Sequence, residues 1–283
     1  MTYSKIAIIG PGLLGSSIAL AMRKKQPGAK IAVWARRSEA ADEVREKNIA
    51  DIASTNLDAV VEGADVIILC VPIGAMTPLA EKIALLSAPG TLITDVGSVK
   101  LPVVESLSRI FRERGQFIGS HPMAGSEQTG IDAARADLFE GAACIITPEK
   151  NSAPHAVDAL GKFWSLLGCR TSILAPDVHD EVVAYVSHLP HLLAATLVNL
   201  VCEQNADSLN FCGNGFRDTT RVASGPPEMW TEIFKGNRGQ VKKSVEEMIG
   251  KLQQVVGLLD DDAAMNRFLA DAKNRRDRLK QRK

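Results

Sequence analysis

Residues 119–130 read GSHPMAGSEQTG, a histidine and a proline among small residues, directly after the apolar QFIG. An imidazole titrates at about pH 6.5. His121 is therefore suited to accept a proton from an alcohol whose carbon loses a hydride. A second stretch, DVGSVK at 95–100, sets Ser98 just past another apolar run, where its hydroxyl can hold the same oxygen. The later SHLPHLL offers His188 and His191, and GFRDTTRVASGPPEMW offers Arg217, Asp218, Arg221 and Trp230. Arginines enclosed in an otherwise apolar segment need an anion, and a carboxylate provides one with two-point geometry. Each residue also has a plain structural explanation. Ser98 can cap a helix, His188 and His191 can pack around a proline, and Asp218 with Arg221 can form an i,i+3 ion pair.

GPGLLG, residues 10–15, fits the glycine fingerprint of dinucleotide-binding turns. Gly10 permits the tight turn, Gly12 lets the backbone approach a pyrophosphate, and Gly15 lets helix and strand pack closely. Leu13 and Leu14 open a helix whose free N–H groups face the phosphates. Val71 and Pro72, closing the strand DVIILCVP, belong to the same cofactor edge. An NAD enzyme places a carboxylate about twenty residues past the fingerprint. Here Ala35 stands there, followed by Arg36, Arg37 and Ser38. Two guanidinium groups and a hydroxyl suit a 2′-phosphate, so NADP is the expected cofactor and NAD the alternative.

These residues need a scaffold. KIAIIG, KIAVWA, DVIILCVP, TLITDVG and QFIGS read as buried strands separated by helical stretches, and AACIITP and CRTSILAP follow the GSHP loop. Strands apolar throughout belong to a parallel sheet covered on both faces. The expected fold class is α/β, a Rossmann-type doubly wound parallel sheet over residues 1–176, followed by an all-helical domain over 177–283. Ligands of such sheets bind at the carboxyl ends of the strands, where both Ser98 and His121 fall. The stretch DEVVAYVSHLPHLLAATLVNLV is too apolar for a lone surface helix, so a homodimer is expected.

Lys+Arg and Asp+Glu both number 33, which excludes a global field for nucleic acid or an acidic membrane. The basic end, KNRRDRLKQRK, fits a solvated helix terminus. Five cysteines without paired spacing read as buried thiols with no metal site. The uncharged stretch between Lys5 and Arg23 mimics a signal peptide but is broken by GPGLLGSS, so a cytoplasmic protein is expected.

The motifs GPGLLGSSIA, TDVGSVK, GSHPMAGSEQTG, SHLPH, GFRDTTRVA and PEMW, in that order and nearly end to end, resemble the prephenate and arogenate dehydrogenase family of tyrosine biosynthesis. The resemblance implies a Rossmann domain with a helical dimerisation domain. It also implies oxidative decarboxylation of prephenate to 4-hydroxyphenylpyruvate, or of L-arogenate to tyrosine. By motif, His121 would take the proton of the ring hydroxyl, Ser98 would hold that hydroxyl, and Arg221 would bind a carboxylate. A histidine of SHLPH, with Ser126, Arg217 and Trp230, would complete the substrate set, and Glu127 and Asp218 would shape the entrance. The chain departs from many relatives at Ala35, where they carry an acid. A β-hydroxyacid dehydrogenase would carry a lysine on the large helix that here holds SHLPH. A dinucleotide sensor without catalysis would leave His121, Ser98 and Arg221 without a purpose.

Overall fold

The computed structural model describes residues 2–112, 115–125, 128–204 and 206–280. Six strands, β1 (Lys5–Ile9), β2 (Lys30–Trp34), β3 (Ile52–Ser54), β4 (Val66–Leu69), β5 (Leu92–Asp95) and β6 (Gln116–Phe117), form one sheet. Their order is β3-β2-β1-β4-β5-β6, and every pairing is parallel. Alternate residues serve two cores. Ile6, Ile8, Ile31, Val33 and Ile68 pack on one face, and Ala7, Ile9, Ile67, Leu69 and Ile93 pack on the other. Burial on both faces is why these strands carry no polar alternation. The strand order reverses between β1 and β4, and the glycine turn lies at that switch point.

A second sheet departs from the sequence expectation. GSHP is itself a strand, β7 (Gly119–Pro122), antiparallel to β8 (Ala143–Thr147), which runs parallel to β9 (Arg170–Ile173). His121 therefore sits on a strand opposite Ile145 rather than in a loop. Gly119 permits the departure. A Cβ there would stand 2.5 Å from Thr147 Oγ1 and 2.8 Å from Val104 Cγ2. The strand β3 is also absent from the sequence reading, because three residues carry no legible period.

The helical run Pro176–Val183, Ala184–His188 and Leu189–Gln204 contains a π-helical turn in its middle segment. Leu189 N–H bonds the Ala184 carbonyl there. Pro190 follows and has no N–H to give, which favours a widened turn at this point. The run is long and apolar enough to cross a membrane by length and composition. It nevertheless buries His179, Asp180, His188 and His191, groups that hydrocarbon would penalise. The chain divides into two compact units, Met1–Asn237 and Arg238–Lys283. The change to helical chain at Pro176 lies inside the first unit. The second unit consists of two helices, Arg238–Leu258 and Asp262–Lys280, packed on each other. All five cysteines are free thiols.

Candidate active site

The glycine turn has the shape its sequence implies. Gly10 has φ +111°, and a Cβ on it would stand 2.5 Å from the Cys70 carbonyl oxygen. A Cβ on Gly15 would collide with the Gly10 carbonyl oxygen and stand 3.1 Å from Ile8 Cγ2. Over Gly12 there is open space, with no atom within 4 Å of a built Cβ. The helix Leu13–Lys25 has no side-chain cap and no acid in its first turn. Free N–H groups above an open glycine fit a dinucleotide pyrophosphate. At the end of β2, Ala35 is fully buried. Arg36, Arg37 and Ser38 are exposed beside it, and neither guanidinium has a protein partner among the described residues.

A cavity of about 640 Å³ runs from Gly12, Leu13 and Leu14 past Val71, Pro72, Ser98 and His121 to Arg221 and Trp230. The strand ends supply one wall and the helical segments the other. His121 is buried, 6% exposed, and reaches the cavity from β7. Behind it, His121 Nδ1 lies 2.9 Å from His179 Nε2, and His179 Nδ1 lies 2.8 Å from Asp180 Oδ1. Asp180 also accepts the N–H groups of Lys100 at 2.7 Å and Leu101 at 2.9 Å. It thereby caps the helix Leu101–Phe111, which has no local side-chain cap. Ser98 is thus left to face the cavity instead of serving as a cap.

Burial holds the His121 pKa well below the usual histidine value, and His179, Lys100 and His188 add to the depression. An imidazole kept neutral is ready to accept a proton. Beneath it lies a fully buried ion pair between Lys100 Nζ and Asp95 Oδ2. Lys100 Nζ also donates to the Ser120 carbonyl at 2.9 Å. Asp95 accepts from Gly97 N at 2.8 Å and from Ser120 N at 3.3 Å. The pair ties the end of β5 to β7, which fixes the strand that carries His121.

The other expected residues divide. His188 is fully buried, and its Nδ1 lies 3.3 Å from Asn237 Nδ2. Burial lowers its pKa to about 4. His191 lies behind Trp230, and its pKa is also lowered by burial. Neither histidine lines the cavity. Arg221 lines the cavity from an exposed rim, so it is not an enclosed arginine. Arg217 and Asp218 are exposed on the helix Asn214–Thr220 and stand off the cavity. Arg36, Arg37 and Ser38 do not reach it either. Ser126 and Glu127 lie outside the described residues. The sequence reading missed His179, Asp180, Lys100, Asp95 and the cavity-lining Ser187, Met229 and Glu232. The adjacent His-Asp pair at a helix start was the signal available for the first two.

A family model described as prephenate dehydrogenase, nucleotide-binding domain, matches residues 18–173, and one described as prephenate dehydrogenase, dimerization domain, matches residues 175–273. Cyclohexadienyl dehydrogenase of Zymomonas mobilis is 31% identical over 280 residues, covering 96% of this chain and 95% of its own. Prephenate dehydrogenase of Bacillus subtilis is 33% identical over 282 residues, covering 97% of this chain and 76% of its own. A crystal structure of prephenate dehydrogenase from A. aeolicus, in complex with hydroxyphenyl propionate and NAD+, superposes with a TM-score of 0.91 at 28% identity, covering 99% of each chain. With both halves matched and relatives a third identical along nearly the whole sequence, the chain belongs to the prephenate dehydrogenase family of NAD(P)-dependent oxidoreductases.

Proposed function

We propose that the protein converts prephenate to 4-hydroxyphenylpyruvate and CO2 in tyrosine biosynthesis, with NADP as its preferred hydride acceptor. The observation that carries this reading is His121, buried and neutral on the wall of a cavity that begins at the glycine turn. His121 takes the proton of the ring hydroxyl, and Ser98 holds the hydroxyl oxygen. Arg221 binds a substrate carboxylate at the rim, and Trp230 closes that end. His188 and His191 support this wall from behind, Ser126 and Arg217 are assigned to the substrate side, and Glu127 and Asp218 to the entrance. Bound at Gly10, Gly12, Leu13, Leu14, Gly15, Val71 and Pro72, the nicotinamide dinucleotide supplies a two-electron acceptor for the hydride. Loss of CO2 sends its bonding pair through the ring to the new carbonyl oxygen, which takes a proton back from His121 as the phenol, and aromatisation drives the reaction. The base therefore needs position and neutrality more than strength. The hydroxyphenyl propionate of the A. aeolicus structure supports this assignment, since it is a phenol bearing a carboxylate. Arg36, Arg37 and Ser38 beside the acid-free Ala35 support NADP over NAD.

We assign the dinucleotide to residues 1–176 and the substrate contacts and dimerisation to 177–283. Ile249, Leu252, Val256 and Leu259 are 51–66% exposed at near-heptad spacing, a face suited to a second copy. The protein would work as a cytoplasmic homodimer. Steady-state assays with prephenate and L-arogenate, each with NADP and NAD, test the reading. Prephenate with NADP should give the highest kcat/KM. No turnover of either substrate with either cofactor would overturn it, and a preference for L-arogenate would reassign the substrate.

A further inference from the structure

We propose that His179 and Asp180 are positioning residues that fix the tautomer of His121 and share the charge it acquires. The proposal rests on His121 being the base. Asp180 accepts two backbone N–H groups, at 2.7 and 2.9 Å, and its Oδ1 lies 2.8 Å from His179 Nδ1. With both oxygens already facing backbone donors, the carboxylate meets the imidazole as an acceptor. His179 Nδ1 must then carry the hydrogen, and its Nε2 presents a lone pair. Only a donor satisfies that lone pair at 2.9 Å, so His121 Nδ1 carries the hydrogen between the two rings. The remaining nitrogen of His121, Nε2, is the acceptor left for the substrate. The opposite tautomer would set two lone pairs against each other in a dry interior.

The substrate hydroxyl gives its proton to His121 Nε2 as the hydride leaves the same carbon. His121 is then an imidazolium, and its Nδ1–H hydrogen bond to His179 strengthens. Asp180 supports His179 in turn, so the negative charge two hydrogen bonds away offsets the new positive one. The titratable groups facing the ring pair are Lys100, Asp95, Asp180 and His188. Lys100 opposes protonation of both rings, and Asp180 favours it at His179. The packing that makes this arrangement is long-range, because His179 and Asp180 stand at the start of the helical run and His121 on β7. Asp180 is further anchored because its own carbonyl accepts from Asn237 Nδ2 at 2.7 Å.

His179→Gln keeps an amide oxygen near the place of Nε2 but removes the imidazole. Its kcat should fall by about tenfold to a hundredfold, while both KM values stay within about twofold. The acidic limb of the kcat profile should move to lower pH, because an amide supports the imidazolium less than a neutral His179 backed by a carboxylate does; the repulsion by which His179 lowers the His121 pKa acts only when both rings are charged. His179→Phe removes the acceptor altogether and should lose more in kcat than His179→Gln. Nitrogen-15 NMR of the wild-type protein above neutral pH should find the hydrogen on Nδ1 of both His121 and His179. A hydrogen on Nε2 of His121 would overturn the proposal independently of activity. Wild-type kcat and an unmoved acidic limb in His179→Gln would overturn it too, and if His121→Asn is then inactive, the base assignment stands alone. Wild-type turnover in His121→Asn would remove the base assignment and the relay together.

Discussion

His191 lies flat against Trp230, with ring centroids 3.6 Å apart and planes 14° apart. The histidine is the floor beneath the indole, and the indole lines the cavity. A Cβ on Gly225 would collide with Trp230 Nε1 and approach His191 Cε1 to 3.3 Å. Stacked pairs of this kind contribute about 0.5–1.5 kcal/mol beyond burial, which corresponds to roughly twofold to tenfold in binding. His191→Ala should raise the KM for prephenate by that factor and leave the cofactor KM unchanged, and His191→Phe should recover most of it. Gly225→Ala, which displaces the indole, should raise the same KM without moving the acidic limb of the rate profile.

His121→Asn should reduce kcat by about 10²–10⁴-fold with little change in cofactor affinity. Because burial depresses the His121 pKa, the wild-type acidic limb should lie below about 6.5. The limb should be missing from the variant. Arg221→Ala provides the contrast, with a raised KM for prephenate and a largely retained kcat. Pre-steady-state and steady-state kinetics across pH check both.

Lys100→Met should cost about 3–5 kcal/mol of stability, because it leaves the Asp95 carboxylate buried without its cation. The double variant Lys100→Met with Asp95→Asn should recover a part of that loss. Urea denaturation at pH 7 reads the difference. An unchanged midpoint in Lys100→Met would mean that the ion pair contributes nothing net.

Arg36→Ala with Arg37→Ala should raise the KM for NADP far more than that for NAD. Ala35→Asp should shift the preference toward NAD, since a carboxylate there accepts from a ribose hydroxyl and repels a 2′-phosphate. If the unaltered protein uses NAD at least as efficiently as NADP, the cofactor assignment is wrong.

Stability should fall in mild acid. Burial depresses the pKa values of His121, His179 and His188 in the folded state. Below about pH 6.5 the unfolded chain takes up protons that the folded chain refuses, so unfolding becomes easier as pH drops. For His188 the window closes at about 4. Its share over that range is roughly 3 kcal/mol. Replacing it as His188→Phe should flatten the slope of stability against pH between those values, as chemical denaturation at stepped pH would show.

The sequence by itself determined the alternation of strands and helices, because burial on both faces of β1 and β4 leaves an unmistakable apolar run. It also located the glycine turn, whose demands on Gly10 and Gly15 are local and therefore written in the spacing. His121 and Ser98 were legible as groups at strand ends. Only the tertiary structure decided what stands behind them. His121 meets His179 across 58 residues, and Lys100 meets Asp180 across 80. It also decided that GSHP leaves the parallel sheet for a second one, and that His191 supports Trp230 instead of facing the cavity. The physical reason is range. Helix and strand periods report which face of a segment is buried, whereas hydrogen-bond partners of buried polar groups are chosen by how distant segments pack.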